Sequence, residues 1–218
     1  NIRSRARPQL IGICSTGLTE TKGDDVTGFI ALIRKKHPEL ADTQIVYVST
    51  PDYSGAFQDG WAKAVATLVS TLPAPQSAAR ADAVNVLPGS HLTPGDIDEL
   101  RELIEAFGLK PVFVPDVSGS LDGHIPHDWL GTTLGGCGMA DVATLAGAGH
   151  TLAIGEQMRP AAEALQARCG VPFTLFDRLT GLTASDAFVQ KPSQLSGRPV
   201  PARLRRWRSQ CPAAMLTL

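Results

Sequence analysis

The chain has 218 residues, 43% of them hydrophobic, enough to bury one large core or two modest ones. With 20 basic against 21 acidic residues and a formal net charge of -1, nothing in its electrostatics points to nucleic acid or an anionic membrane. No apolar run approaches the roughly 20 residues that cross a bilayer, and NIRSRAR at the start has no apolar stretch behind it, so a soluble, cytoplasmic protein is expected. The chain starts at Asn1 rather than Met, and a fragment or processed product is expected.

The first stretch, LIGICSTGLTETKGDDV, reads as strand, loop and helix start. Leu10, Ile11 and Ile13 form an apolar run bounded by Pro8 and Gly17, the pattern of a central, buried parallel strand. Such a strand delivers Cys14 to Glu20 as a loop at its carboxyl end, where ligands and partners dock in open α/β sheets. Asp24 is the expected N-cap of the next helix, with Asp25 at the positive end of its dipole. Val26, Phe29, Ile30 and Ile33 then make an amphipathic stripe, Arg34, Lys35 and Lys36 sit at the negative end, and Pro38 stops the helix. IVYVS (45–49) is the next strand, TPDYSG a turn-rich loop, and Phe57, Trp61, Val65, Leu68 and Leu72 share one face of a second helix. LPAPQSAARAD (72–82) reads as a linker.

A second α/β unit follows. AVNVLP is a strand, and Thr93-Pro94-Gly95-Asp96 opens a helix with Thr93 as N-cap and Pro94 at its first position. Ile97, Leu100, Leu103, Ile104 and Phe107 give its buried face, Gly108 closes it, and PVFVPD is the following strand. A long irregular region, 117–138, precedes a helix over 139–146; loops of that length are functional or disordered. TLAIG, a helix over 158–169 ended by Gly170, and the strand PFTLF complete the alternation. In the tail Thr183 is the expected cap of a helix, with Asp186 at the capping-box position and Pro192 as its breaker. A last helix from about Pro199 carries Leu204, Trp207, Cys211, Met215 and Leu218 on one face.

Chemical motifs are sparse. GxGxxG, GxxxxGK[ST] and HExxH are all absent, so nucleotide and zinc-protease readings lack their signatures. Cys14, Cys137, Cys169 and Cys211 are widely spaced, without a CxxC pair, and read as free thiols, with Cys14 the one to watch at a strand end. Gly135-Gly136 with Thr132 and Thr133 reads as a glycine-rich connection or an anion nest. His124-x-x-His127 lies in a Gly/Pro loop without a partner ligand at a matching spacing, and reads as exposed or structural. Helix capping accounts for Asp24 and Asp25; His37, His91 and His150 have no companions.

Six segments in order carry a resemblance: STGLTETKGDDV, VSTPDYSGAFQDGWAKAV, VNVLPGSHLTPGDIDELRELIEAFGLKPVFVPDVSGSLDGH, TTLGG, HTLAIGEQMRPAAEAL and GRPVP. Together they resemble the nitrogenase component 1 superfamily, nearest to its cofactor-assembly branch. The resemblance implies an α/β fold of Rossmann-like parallel-sheet domains. It implies a partial first domain at 1–75, a complete second domain at 76–195, and a helix at 196–218 leading to a third domain that is absent. It also implies a scaffold, without turnover of its own, that pairs with a homologous E-type subunit in a heterotetramer. On it an iron-sulfur precursor is matured into the iron-molybdenum cofactor, and the nitrogenase iron protein docks. The alternative is a catalytic redox subunit, nitrogenase β or dark-operative protochlorophyllide reductase.

One departure separates these branches. By the resemblance, the catalytic β subunit has a cluster-ligating Cys six residues before the Gly of GDD, and here that position is Gly17. Asp52 stands where the β subunit has a Ser. Gly17, Thr19, Glu20 and Asp52 are thus expected to form a wall beside a cluster without being its ligands, and no metal is expected in this stretch of chain alone. Cys14 is three residues out of register.

Overall fold

The structure, a computed structural model, describes residues 2–76, 78–120, 123–125, 127–129 and 135–216, with side chains up to residue 211. The short α1 (Ile2–Ala6) leads into β1 (Leu10–Cys14), α2 (Gly17–Lys22), α3 (Val26–Lys36), β2 (Gln44–Val48) and α4 (Phe57–Thr71). Strand β1 pairs in parallel with β2, from Leu10 opposite Gln44 to Cys14 opposite Val48. The second sheet is built from β3 (Arg80–Pro88), α5 (Pro94–Glu105), β4 (Lys110–Phe113), α6 (Met139–Ala143), β5 (Ala148–Ile154), α7 (Arg159–Cys169) and β6 (Phe173–Phe176). Its order is β4-β3-β5-β6, all parallel. Helices α8 (Leu182–Ser196) and α9 (Ala202–Leu216) follow.

Strand–helix alternation thus gives the parallel α/β architecture that the sequence pattern predicts. The second sheet is covered on both faces, as parallel sheets must be. On one face Val84, Val86, Leu152 and Ile154 meet Ile97, Ile104 and Phe107 of the α5 segment. On the other, Leu87 and Ala153 meet Val142, Ala161 and Leu165. Helix α4 joins this second layer: Val65 and Val69 are buried in it, and Trp61 Nε1 donates to the Pro88 carbonyl at 2.9 Å. Each large side chain so buried contributes roughly 1.5–3 kcal/mol.

Several sequence expectations need correction. Strand β1 is parallel but not buried: Gly12 and Cys14 are exposed and its other residues half-buried, because only β2 flanks it among the described residues. The stretch expected as a loop from Cys14 to Glu20 contains helix α2, closed by Gly23 at φ 71°, a left-handed conformation that favours glycine. The N-cap of α3 is Asp25, which accepts from Gly28 N at 2.8 Å; Asp24 pairs with Lys22 instead. The α3 stripe forms, yet Phe29 and Ile33 are exposed. In α4 the buried positions are Val65 and Val69, while Phe57 is exposed. The linker ends earlier than expected, since Arg80 to Asp82 already belong to β3.

In the tail, Gly181 rather than Thr183 is the N-cap of α8, and the helix continues through a buried Pro192 to Gly197. Asp186 is held by Arg208 of α9 at 2.7 and 2.9 Å and is unavailable as a cap. Leu204 packs against the core and Trp207 is half-exposed, whereas the Met215 side chain and Leu218 lie outside the described residues. Among the described residues, no helix is long and apolar enough to cross a membrane.

Candidate functional site

The carboxyl ends of β1 and β2 lie side by side, and the chain beyond each strand is tied to the other. Ser15 N donates to Val48 O at 3.1 Å, Thr50 N to Ser15 Oγ at 2.8 Å, and Thr50 Oγ1 to Ser15 O at 3.1 Å. From this latch α2 starts at once. Thr16 is its N-cap, and Thr19 completes a capping box by accepting from Thr16 N at 2.9 Å. Thr19 is therefore committed to holding the helix start.

Glu20 is committed as well. Its Oε1 accepts from Ser49 Oγ at 2.6 Å and from Tyr47 OH at 2.9 Å, which fastens α2 onto β2. Hydrogen bonds from Ser15, Ser49 and Tyr47 hold its carboxyl below the usual carboxylate range. Ser15, Tyr47 and Ser49 are the partners that sequence reading missed. Their only signal is their position at the ends of two strands already read as adjacent.

Gly17 and Asp52 meet across the same wall. A Cβ built on Gly17 would overlap Asp52 Oδ1 outright, at 3.2 Å from Asp52 Cγ and 3.1 Å from Tyr53 Cδ1. Gly17 is buried and Asp52 exposed. Around them stand three exposed apolar side chains, Leu18, Tyr53 and Phe57, at 78%, 66% and 74% of full exposure. The structure thus brings all four expected wall residues to one end of the first sheet.

This wall does not fit an iron-sulfur cluster. Such clusters are held by thiolates, and here Gly17 has no side chain, Glu20 is spoken for, and only Asp52 offers an uncommitted carboxylate. Cys14 is exposed on β1, outside the set. Among the described residues no three His, Cys, Asp or Glu side chains converge as metal ligands.

The other candidates disperse. His124 and His127 are exposed, and Thr132 and Thr133 of the anion-nest reading lie outside the described residues. His37 pairs with Glu39, His91 with Gln157, and His150 with Thr174. Cys137 lies beside Asp116 and Asp141 in a small polar pocket of about 240 Å³ with the Arg101–Asp116 ion pair. Burial and those carboxylates push its thiol up to about 11, which keeps it protonated and unreactive.

The parallel α/β fold fits a defined class: the profile of the nitrogenase component 1 type oxidoreductase family matches residues 1–218, and the chain belongs to that family. It is 55% identical to the nitrogenase iron-molybdenum cofactor biosynthesis protein NifN of Bradyrhizobium diazoefficiens, over 99% of this chain and 47% of that protein. It is 45% identical to NifN of Rhizobium meliloti, over 99% of this chain and 50% of that one. The solved structure described as "Nitrogenase Cp1 at pH 6.5" superposes with a TM-score of 0.92 at 29% identity, covering 100% of this chain and 47% of that chain. The chain therefore spans about half the length of the curated relatives it matches.

Proposed function

We propose that this chain is part of a cytoplasmic scaffold subunit on which the nitrogenase iron-molybdenum cofactor is matured from an iron-sulfur precursor. The precursor is cargo, received and passed on, and the subunit has no turnover of its own. Its partner is a homologous E-type subunit in a heterotetramer, and the nitrogenase iron protein docks on the assembled complex. The domain plan that goes with this reading is a partial first domain at 1–75, a second at 76–195, and a helix at 196–218 leading onward.

One observation carries the choice of scaffold over catalytic subunit: the position where the resemblance puts a cluster thiolate in the catalytic branch is Gly17, and Asp52 fills the space above it. The names of the relatives at 45–55% identity point the same way. The test is anaerobic co-expression of the full-length chain with an E-type partner, followed by iron counting and an assay for activation of cofactor-deficient nitrogenase. Association, iron in the complex and cofactor-dependent activation are expected. Failure to associate, or reduction of acetylene or protochlorophyllide at enzymatic rates, overturns the reading.

A further inference from the structure

We infer that α1 and the end of α3 form a docking surface for an acidic, amphipathic protein segment, whose carboxylates meet unpaired cations and whose apolar side chains meet α3. The surface lies at the amino ends of β1 and β2, opposite to the wall of Gly17 and Asp52. The inference does not depend on the scaffold reading.

Charge is segregated along the chain. Residues 1–40 hold seven Lys and Arg against four Asp and Glu, whereas residues 41–218 hold 13 against 17. Six of those seven cations, Arg3, Arg5, Arg7, Arg34, Lys35 and Lys36, lie on α1, just after it, or in the last turn of α3. The carboxylates nearby are already engaged. Asp42 accepts from Arg3 Nη2 at 2.6 Å and from Arg3 Nε at 3.3 Å, and Glu39 pairs with His37 at 2.9 Å. Arg5, Arg7, Lys35 and Lys36 are exposed and have no ion-pair partner among the described residues. The negative end of the α3 dipole favours Lys35 and Lys36, but Arg5 and Arg7 stand on a separate segment and gain nothing from it.

The two segments enclose a cavity of about 590 Å³, where Arg3, Arg7 and His37 stand over Ile33 and Leu40. An apolar strip leads into it along α3, since Phe29, Leu32 and Ile33 share one helix face and are 56%, 46% and 43% exposed. Arg7 itself has φ 44°, the only non-glycine residue with positive φ among the described residues. Glycine adopts that backbone without strain, so the arginine is held there at a cost to the fold, as groups at binding sites are.

Cations beside an exposed apolar strip select the kind of partner. A nucleic-acid backbone offers charge but nothing for Phe29, Leu32 and Ile33, and the chain as a whole carries a net charge of -1. An amphipathic acidic helix offers both, with carboxylates that suit the guanidinium fork of Arg5 and Arg7.

The test measures fluorescence anisotropy at low salt with the full-length chain and a labelled peptide of about 18 residues, Leu at helical spacing and Glu elsewhere. A peptide of the same composition with the spacing scrambled, and a heparin fragment, serve as controls. The helical peptide is expected to bind at least about tenfold more tightly than either control, and more weakly as salt is raised. Arg7→Gly weakens it about three- to tenfold while leaving the thermal midpoint at or above that of the parent. Lys35→Glu with Lys36→Glu weakens it about tenfold or more, and a peptide with Lys in place of Glu binds that variant better than the parent. Absence of binding, equal binding of the scrambled peptide or heparin, or affinities unchanged in both variants overturns the inference. None of these measurements needs the E-type partner, so a failed complex counts against the scaffold reading alone.

Discussion

His150 shows how a single buried residue ties stability to pH. Its ring is 8% exposed on β5 and hydrogen-bonded to Thr174 Oγ1 at 2.9 Å, and burial, with the positive charge of Lys191 nearby, pushes its pKa down to about 4. Below the unfolded value of about 6.5 the unfolded chain binds a proton that the folded chain refuses, so stability falls as pH drops from there toward 4. The His150-dependent loss reaches about 3 kcal/mol by pH 4, and urea unfolding at pH 7 and pH 4.5 should show a smaller drop in His150→Gln than in the parent. If both chains lose stability equally, the ring is not held neutral. Residue-scale legibility follows sequence distance. The Thr93-Pro94-Asp96 cap was readable because all its members lie within four positions, whereas Gly17 against Asp52 and Asp186 against Arg208 are contacts that only the fold creates.

Elements differ in how far their own sequence determines them. Helix α5 carries a complete local signal, with the Thr93 side chain accepting from Asp96 N and Asp96 Oδ2 accepting from Thr93 N at 2.7 Å. Thr93→Ala is accordingly expected to cost about 1 kcal/mol in chemical denaturation, with the m-value unchanged. Helix α2 was invisible because GLTETK has no apolar stripe; it stands on a cap, a glycine stop and the Glu20 anchor. Helix α8 misled in the other direction. Pro192 predicts a break, but the residue is buried and the helix persists, since tertiary packing outweighs a local penalty of about 3 kcal/mol. The placement of α4 also exceeds what its stripe can say, because the stripe shows that a face is buried and not against what. Leu165 of α7 is fully buried in the same cluster as Val65 and Val69, so Leu165→Ala should cost about 2–5 kcal/mol and loosen α4 with it, visible as faster amide exchange over 61–69.

Across the whole molecule, apolar surface is distributed unevenly. The second sheet is covered on both faces, while the first, among the described residues, has two strands, an exposed Gly12 and Cys14 on β1, and an α3 whose Phe29 and Ile33 face outward. The strand pattern for β1 could be read, but its burial could not, because a run of Leu and Ile is the same whether or not further chain covers it. At the end of this sheet Leu18, Tyr53 and Phe57 stand exposed beside Gly17 and Asp52, on segments held rigid by the Ser15 latch and the Glu20 anchor. Exposed side chains on a fixed frame suit docking, since little ordering entropy is lost on association. Under the scaffold reading proposed above, we predict that this surface contacts the E-type subunit. Leu18→Glu and Phe57→Glu, each in the full-length chain, should leave the thermal midpoint of the uncomplexed subunit within about 2 °C of the parent, because neither side chain is part of the core. Each should weaken co-purification with the E-type partner by about tenfold or more, as expected when a charge is buried in an apolar contact. Unchanged association in both variants would place the partner elsewhere on the molecule, and the exposed α3 face, probed by Phe29→Glu, would be the next surface to test.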